Sequence, residues 1–350
     1  MLAAVTARPH TIHVIERPEP ANPPPPGHVL VHPEAVGVCG SDSHIFTGDT
    51  AALSGAEHTY PRVQGHEISA RVVAIGAGGA DGPSDLAPGH RVAVWPLSSC
   101  GRCYPCRVGR PNACTGFRLV GVHTDGGLQE LLSVPATQVF PAGDVPPHVV
   151  AFAEPTSIAI HAVRRARVMA DEHVVVLGAG AIGQAVCLAA LDLGAHVMAV
   201  DPVSSRRALA QAAGATGSCW GSAAEVAAAA RTWSGGEGPQ VVVDATGSAT
   251  ALARALETVG AAGRVVVVGM SADRAPFRSG LLPTKEVDVL GSSCCDGGEF
   301  AAAVDLVGRC VSAVGRLVSH RIPLAEADRA MELAAAAPED VMKVLVTPGT

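Results

Sequence analysis

The order of apolar and polar residues divides the 350-residue chain into two textures. From Met1 to about Ala153, runs such as HVLVHPEAVGV, ISARVVAIGAG and HRVAVWPL alternate with stretches rich in Gly, Pro and Asp. That pattern predicts short strands and turns in a β-rich, irregular half. From about His173 the runs become short and wholly apolar (HVVVLG, HVMAVD, QVVVDATG, GRVVVVGM, VDVLGSS), and Ala-rich helical stretches separate them. Strands apolar on both faces and alternating with helices predict a parallel sheet covered on both sides. After about Gly291 the alternation stops. EFAAAVDLVGR and AEADRAMELAAA read as amphipathic helices, and the closing apolar KVLVTP is expected to rejoin the first half.

Composition narrows the class. A chain of this length that is 48% hydrophobic can bury more than one core, and single cores rarely serve more than ~250 residues, so two domains are expected. A formal net charge of −7, with no cluster of Lys or Arg, argues against nucleic acid. His10, His13, Glu16 and Arg17 break the N-terminal segment too early for a secretory signal, and export is not indicated. The stretch from Val174 to Val200 is interrupted by glycines, Gln184 and Asp192, short of the ~20 apolar residues of a membrane span. A cytoplasmic protein without membrane contact is expected. Four of the ten cysteines crowd between Cys100 and Cys114. This is metal-ligand spacing, and a reducing cytoplasm would keep the thiols available.

Within VVVLGAGAIG, Gly178, Gly180 and Gly183 give G-x-G-x-x-G directly after an apolar strand and before the helix-forming QAVCLAALDL. A backbone free of side chains there can turn tightly and approach a pyrophosphate, with Ala181 and Ile182 opening the helix whose N–H groups meet its charge. A plain glycine turn is the bland alternative, and the strand-turn-helix context weighs against it. The next strand, HVMAV, ends in Asp201, placed to accept hydrogen bonds from both adenosine ribose hydroxyls and to repel a 2′-phosphate. NAD is therefore expected over NADP. Arg206 and Arg207 follow and could welcome a phosphate, so Arg206 is counted with the cofactor residues.

Cys100, Cys103, Cys106 and Cys114 form C-x2-C-x2-C-x7-C, with Gly and Pro between them to let the chain fold round one ion. Four thiolates suit a closed, tetrahedral, structural zinc site, and the spacing matches neither usual ferredoxin run. Other ligand types are dispersed: Cys39 in VGVCGSDSH, His66 and Glu67 in QGHE, and Glu154 in FAEPTSIAIHA. Singly, each has a plain explanation as a buried thiol, a satisfied histidine or a helix cap.

Taken together with Gly40, Ser41, Asp42 and His44, these motifs resemble the zinc-containing medium-chain dehydrogenase/reductase family, which includes alcohol, sorbitol and threonine dehydrogenases. The resemblance covers nearly the whole chain. It implies an α/β protein: a GroES-like, β-rich catalytic domain over 1–154 and 291–350, and a doubly wound Rossmann domain over 155–290, with the active site in the cleft between them. It implies two zinc ions per chain, one structural and one catalytic. Cys39, His66 and Glu154 would hold the catalytic ion, and Glu67 beside it would serve as a ligand in some states. Asp42 would orient His66. Whether Glu67 and Glu154 bind together stays open.

Hydride removal from an alcohol requires loss of its O–H proton, and zinc with an open position lowers an oxygen-bound proton's pKa from ~16 toward ~7. By resemblance, Ser41 accepts that proton and passes it through the nicotinamide ribose hydroxyl to His44. CGSDSHIFTGD, YPRVQGHE and GVHTDGG look most like the bacterial sugar-acid and polyol branch, such as L-gulonate 5-dehydrogenase. L-Threonine or simple secondary alcohol dehydrogenases are alternatives, as is an NAD-binding redox sensor without turnover. Cys294 and Cys295 stand where an arginine or another polar group is expected, which weakens the case for a substrate carboxylate. Lys285 and His320 read as a solvated lysine and a surface histidine. A homodimer or homotetramer formed through the sheet edge at VDVLGSS is implied.

Overall fold

The computed structural model describes residues 1–49, 60–77 and 82–349; the last residue of the run ISARVVAIGAG, Gly78, lies outside them. Two compact units emerge, Met1–Glu154 with Asp296–Thr350, and Pro155–Cys295. The second unit continues past position 290 because strand Asp288–Gly291 is the sixth of its sheet and Ser292 N still bonds Val267 O at 3.0 Å. No helix among the described residues is long and apolar enough to cross a membrane.

In the first unit, strand His28–Gly37 is the organising element. It pairs antiparallel with Glu67–Ile75, with Leu132–Pro135 and with the C-terminal strand Val344–Thr347. Its burial follows from its sequence: Val29, Leu30, Val31 and Val36 are fully buried. Val29, Val31 and Val36 join Ile68, Val92, Val94 and Leu128 in one core. The closing KVLVTP does rejoin the first half, and the register sets Leu345 opposite Gly37 while Gly37 also faces Glu67 on the other side. Residues from three remote segments thus meet at one rung.

The second unit is a six-stranded parallel sheet in the order Gly217–Cys219, His196–Val200, His173–Leu177, Val241–Asp244, Arg264–Val267, Asp288–Gly291. This is the doubly wound order in which the chain reverses direction at the first strand, leaving a crevice at the strand ends where ligands bind. The six valines of the two central strands, Val174, Val175, Val176, Val241, Val242 and Val243, are fully buried, as apolar strands covered on both faces must be. Lys285 is not a solvated lysine. Its Nζ donates to the carbonyls of Leu256, Glu257 and Val259 at 2.7–3.1 Å and so caps the end of helix Ala251–Thr258. Cys295 is buried, and its thiol donates to Ser157 Oγ at 3.1 Å.

Candidate metal centre and cofactor site

Cys39 ends the apolar strand His28–Gly37 by two residues and is the N-cap of helix Gly40–Thr47. Glu67 opens the neighbouring strand Glu67–Ile75 with His66 just before it, both brought there by Gly65, whose φ of 93° favours glycine and where a Cβ would lie 2.6 Å from Val36 Cγ1. Ligand atoms of Cys39, His66 and Glu67 consequently fall within 4.8 Å of one another. Glu154, in the first turn of helix Ala153–Arg165, does not belong to that tight set, but its charge is felt at His66 and at Lys343. Burial, countered by His66 and reinforced by the charges of Glu67 and Asp42, pushes the Glu154 carboxyl up to about 7. Burial works against a charged His66, yet Asp42, Cys39 and Glu154 outweigh it and raise the imidazole well above its ordinary value.

Asp42 Oδ2 lies 3.6 Å from His66 Nδ1, and Ser41 Oγ lies 3.4 Å from His66 Nε2. His66 Nδ1 is buried with no hydrogen-bond partner among the described residues. His44 stands one turn beyond Ser41 on the same helix, 36% exposed, with Nδ1 4.0 Å from Asp49 Oδ2. The structure therefore brings Cys39, Ser41, Asp42, His66 and Glu67 together and leaves His44 on the solvent side.

Lys343 is a member of this cluster that the sequence reading missed. Its Nζ donates to both oxygens of Glu67 at 2.6 Å and to Val38 O at 3.2 Å, with side-chain exposures of 4% for the lysine and 1% for the glutamate. The ammonium also lies 5.7 Å from the Phe152 ring centroid. Burial disfavours its charge, but Glu67, Cys39 and Glu154 overcome that and raise its pKa. Gly37 makes the room: a Cβ there would fall 1.8 Å from Glu67 Oε2. A lysine heading an otherwise apolar strand was the available signal, since a buried ammonium needs an anion.

The donor set fits a divalent cation. Two carboxylates already have cationic or imidazole partners, Glu67 with Lys343 and Asp42 with His66, which leaves the Cys39 thiol and His66 Nε2 as one soft and one borderline donor, with the Glu154 charge felt at His66. The second cluster fits a closed site. Ligand atoms of Cys100, Cys103, Cys106 and Cys114 lie within 4.8 Å of one another, and no disulfide joins them. Backbone N–H groups of Cys106 and Thr115 lower the Cys103 thiol to about 6, whereas burial and its Cys103 and Cys114 neighbours push Cys106 up to about 11. Sulfurs 3.4–3.7 Å apart cannot all become thiolates without a cation to share.

In the second unit, Gly178 has φ of 85°, and a Cβ on Gly183 would sit 1.8 Å from Gly178 O, so the loop can close only with glycine. Gly180, the N-cap of helix Ala181–Asp192, has nothing within 4 Å of an added Cβ, which leaves open space over the helix start for an anionic group. Asp201 is buried. Its oxygens accept from Ala179 N and Val203 N at 2.8 Å each, which ties the acid to the glycine loop and leaves acceptor capacity on both oxygens. Arg207 donates to the carbonyls of Asp201 and Pro202, and Arg206 lies in helix Ser204–Ala212 with its carbonyl accepting from Gln184. Gly183→Ala is expected to cost about 1–3 kcal/mol by overpacking and to weaken dinucleotide binding at least ~10-fold, measured by denaturation and by titration calorimetry.

Residues 25–145 match the alcohol dehydrogenase GroES-like domain and residues 181–309 the zinc-binding dehydrogenase domain. L-Galactonate-5-dehydrogenase of Escherichia coli K12 is 35% identical over 86% of this chain and 87% of its own length. The chain belongs to the zinc-binding, medium-chain dehydrogenase family. Among solved members, a Sinorhizobium meliloti 1021 zinc-binding dehydrogenase bound to NADP superposes with a TM-score of 0.88 at 32% identity, and an Escherichia coli CFT073 alcohol dehydrogenase complexed with NADH with 0.87 at 29%. Each comparison covers 99% of both chains. Membership makes the protein an oxidoreductase acting on an alcohol, as the resemblance implied.

Proposed function

We propose that this family member transfers a hydride from a secondary hydroxyl of a polyol or sugar acid to NAD, at a zinc centre held by Cys39, His66 and Glu154. The reading is supported by the convergence of Cys39 and His66, with Glu67 beside them, within 4.8 Å, by the Glu154 charge felt at His66, and by Ser41 Oγ at 3.4 Å from His66 Nε2. When bound, zinc supplies Lewis acidity that favours loss of an alcohol proton, and NAD supplies the hydride acceptor. The chain's own groups do the rest. Ser41 Oγ accepts the substrate's hydroxyl proton as its own proton leaves toward His44, whose partial exposure lets it exchange with water. Lys343 holds the Glu67 carboxylate neutralised beside the centre. Asp201, with acceptor capacity to spare, favours ribose hydroxyls over a 2′-phosphate. A second, structural zinc in the four-cysteine lobe belongs to the same reading. So does self-association through strand Asp288–Gly291, a sheet edge on which Val289 is 42% exposed.

The polyol and sugar-acid assignment rests on the similarity to L-galactonate-5-dehydrogenase. The test follows NADH absorbance over polyols, aldonates, L-threonine and simple secondary alcohols. The highest kcat/KM is expected on a polyol or an aldonate. A preference for threonine would move the substrate class, and no turnover with any of them would return the chain to a cofactor-binding sensor.

A further inference from the structure

Asp42 is fully buried and carries more hydrogen bonds than orienting one imidazole requires. Its Oδ2 accepts from Cys39 N at 3.0 Å; its Oδ1 accepts from Gly65 N and from Gln64 Nε2, both at 3.3 Å. Gln64 Nε2 also donates to the Asp42 carbonyl at 2.9 Å. A carboxylate has about four acceptor positions. Three are filled by neutral donors fixed to the backbone or to Gln64, and Oδ2 keeps the last on the side of His66 Nδ1, 3.6 Å away. The direction of that last lone pair is therefore set by what holds Oδ1.

Gln64 is also fully buried, and its amide could lie either way round. Asp42 decides it: its carbonyl and Oδ1 can only accept and so take the NH₂, which turns Gln64 Oε1 to Thr6, on the first strand and 58 residues earlier, whose hydroxyl donates to it at 2.6 Å. Reversed, the amide would oppose acceptor to acceptor at two contacts, the Asp42 carbonyl and Oδ1. The backbone holds Gln64 as well, since Leu128 N donates to its carbonyl at 3.1 Å.

We infer that Thr6 and Gln64 are a positioning pair for the metal centre, acting through Asp42 to orient both Cys39 and His66. The inference rests on the zinc reading of that centre. It differs from ordinary core packing in a checkable way: a packing role would change stability alone, whereas a positioning role also changes the metal centre. Thr6→Val is almost isosteric, and it deprives Gln64 Oε1 of its donor without opening a cavity. Thr6→Ser restores the hydroxyl.

The experiment uses the full-length chain, metal-stripped and reloaded with Co²⁺, and reads three quantities: bound metal per chain, the visible ligand-field spectrum of the Cys39–His66 centre, and the Co²⁺ dissociation constant of that centre. Thr6→Val and Gln64→Leu are each expected to weaken that constant about 10–100-fold, the usual effect of removing an outer-shell partner, and to shift the spectrum. The four-cysteine site should retain its ion, and Thr6→Ser should restore the wild-type constant. Wild-type affinity and spectrum in both Thr6→Val and Gln64→Leu would overturn the positioning role while leaving the zinc reading intact. A wild-type chain that binds metal only at the four cysteines would overturn both. If Gln64→Leu proves unfolded by circular dichroism, Thr6→Val against Thr6→Ser carries the decision alone.

Discussion

Lys343→Met is expected to lower unfolding free energy by about 3–5 kcal/mol, the cost of leaving one member of a buried ion pair without its partner. Methionine fills much of the lysine stem's volume, so the loss comes from the Glu67 carboxylate, which is 1% exposed and loses both 2.6 Å bonds. The function suffers with the fold. Glu67 shares a 4.8 Å set with Cys39 and His66, and a carboxylate released from Lys343 competes for the position between them. A fall in kcat of at least ~10-fold is expected, in line with loss of an outer-shell partner. Urea denaturation of Lys343→Met, Glu67→Gln and the double variant forms a cycle in which the double variant should recover most of the lost stability. Strictly additive effects would show that the pair contributes nothing as a pair. The sign of the pH dependence follows from the raised pKa of Lys343. Its folded value exceeds 10.5, so its contribution is complete at neutral pH and disappears only as pH rises through the folded value, in strong alkali.

The contrast between what the chain's order reveals and what it conceals runs along sequence separation. The four-cysteine lobe is compressed into fifteen consecutive positions, and its proposed ligand role is legible from spacing because chance rarely places four thiols so close. The glycine loop is similarly local. Gly178, Gly183 and Asp201 are linked by a strand, a turn and a helix, each legible from periodicity. Cys39, His66 and Glu154 lie in separate segments, and only the family resemblance gathers them. Lys343 is 276 residues from Glu67, and Thr6 is 58 from Gln64. Both looked ordinary because a side chain's partner across a sheet depends on register, which apolar alternation fixes only once the pairing of strands is known. Gly37 is the same case. Nothing in VGVCG announces that a methyl group there would strike a carboxylate from another strand. The pairs that surround the proposed metal ligands are thus the least visible part of the chain, although they govern the site's charge.

Ser41→Ala is expected to reduce kcat about 10²–10⁴-fold, the range for removing a positioned proton acceptor, with KM for the alcohol and the dissociation constant for NAD changed less than ~3-fold. The geometry separates this effect from damage to the centre. Ser41 Oγ is 3.4 Å from His66 Nε2, whereas Asp42, which faces His66 Nδ1 at 3.6 Å and accepts from Cys39 N, is held by Gln64 and the backbone of Gly65, none of which involves the Ser41 hydroxyl. Deleting that hydroxyl removes an acceptor and leaves the ligand frame standing, so metal content should stay at the wild-type value. Ser41→Thr keeps the hydroxyl and should retain far more activity than the alanine variant. His44→Ala should act at the next step and more gently, since water can replace a partly exposed base. Its loss should be partly restored by added imidazole, and Ser41→Ala should not respond. If Ser41→Ala kept its rate within ~2-fold while His44→Ala lost it, the proton would have to leave by a route that bypasses the helix Gly40–Thr47 at its first turn.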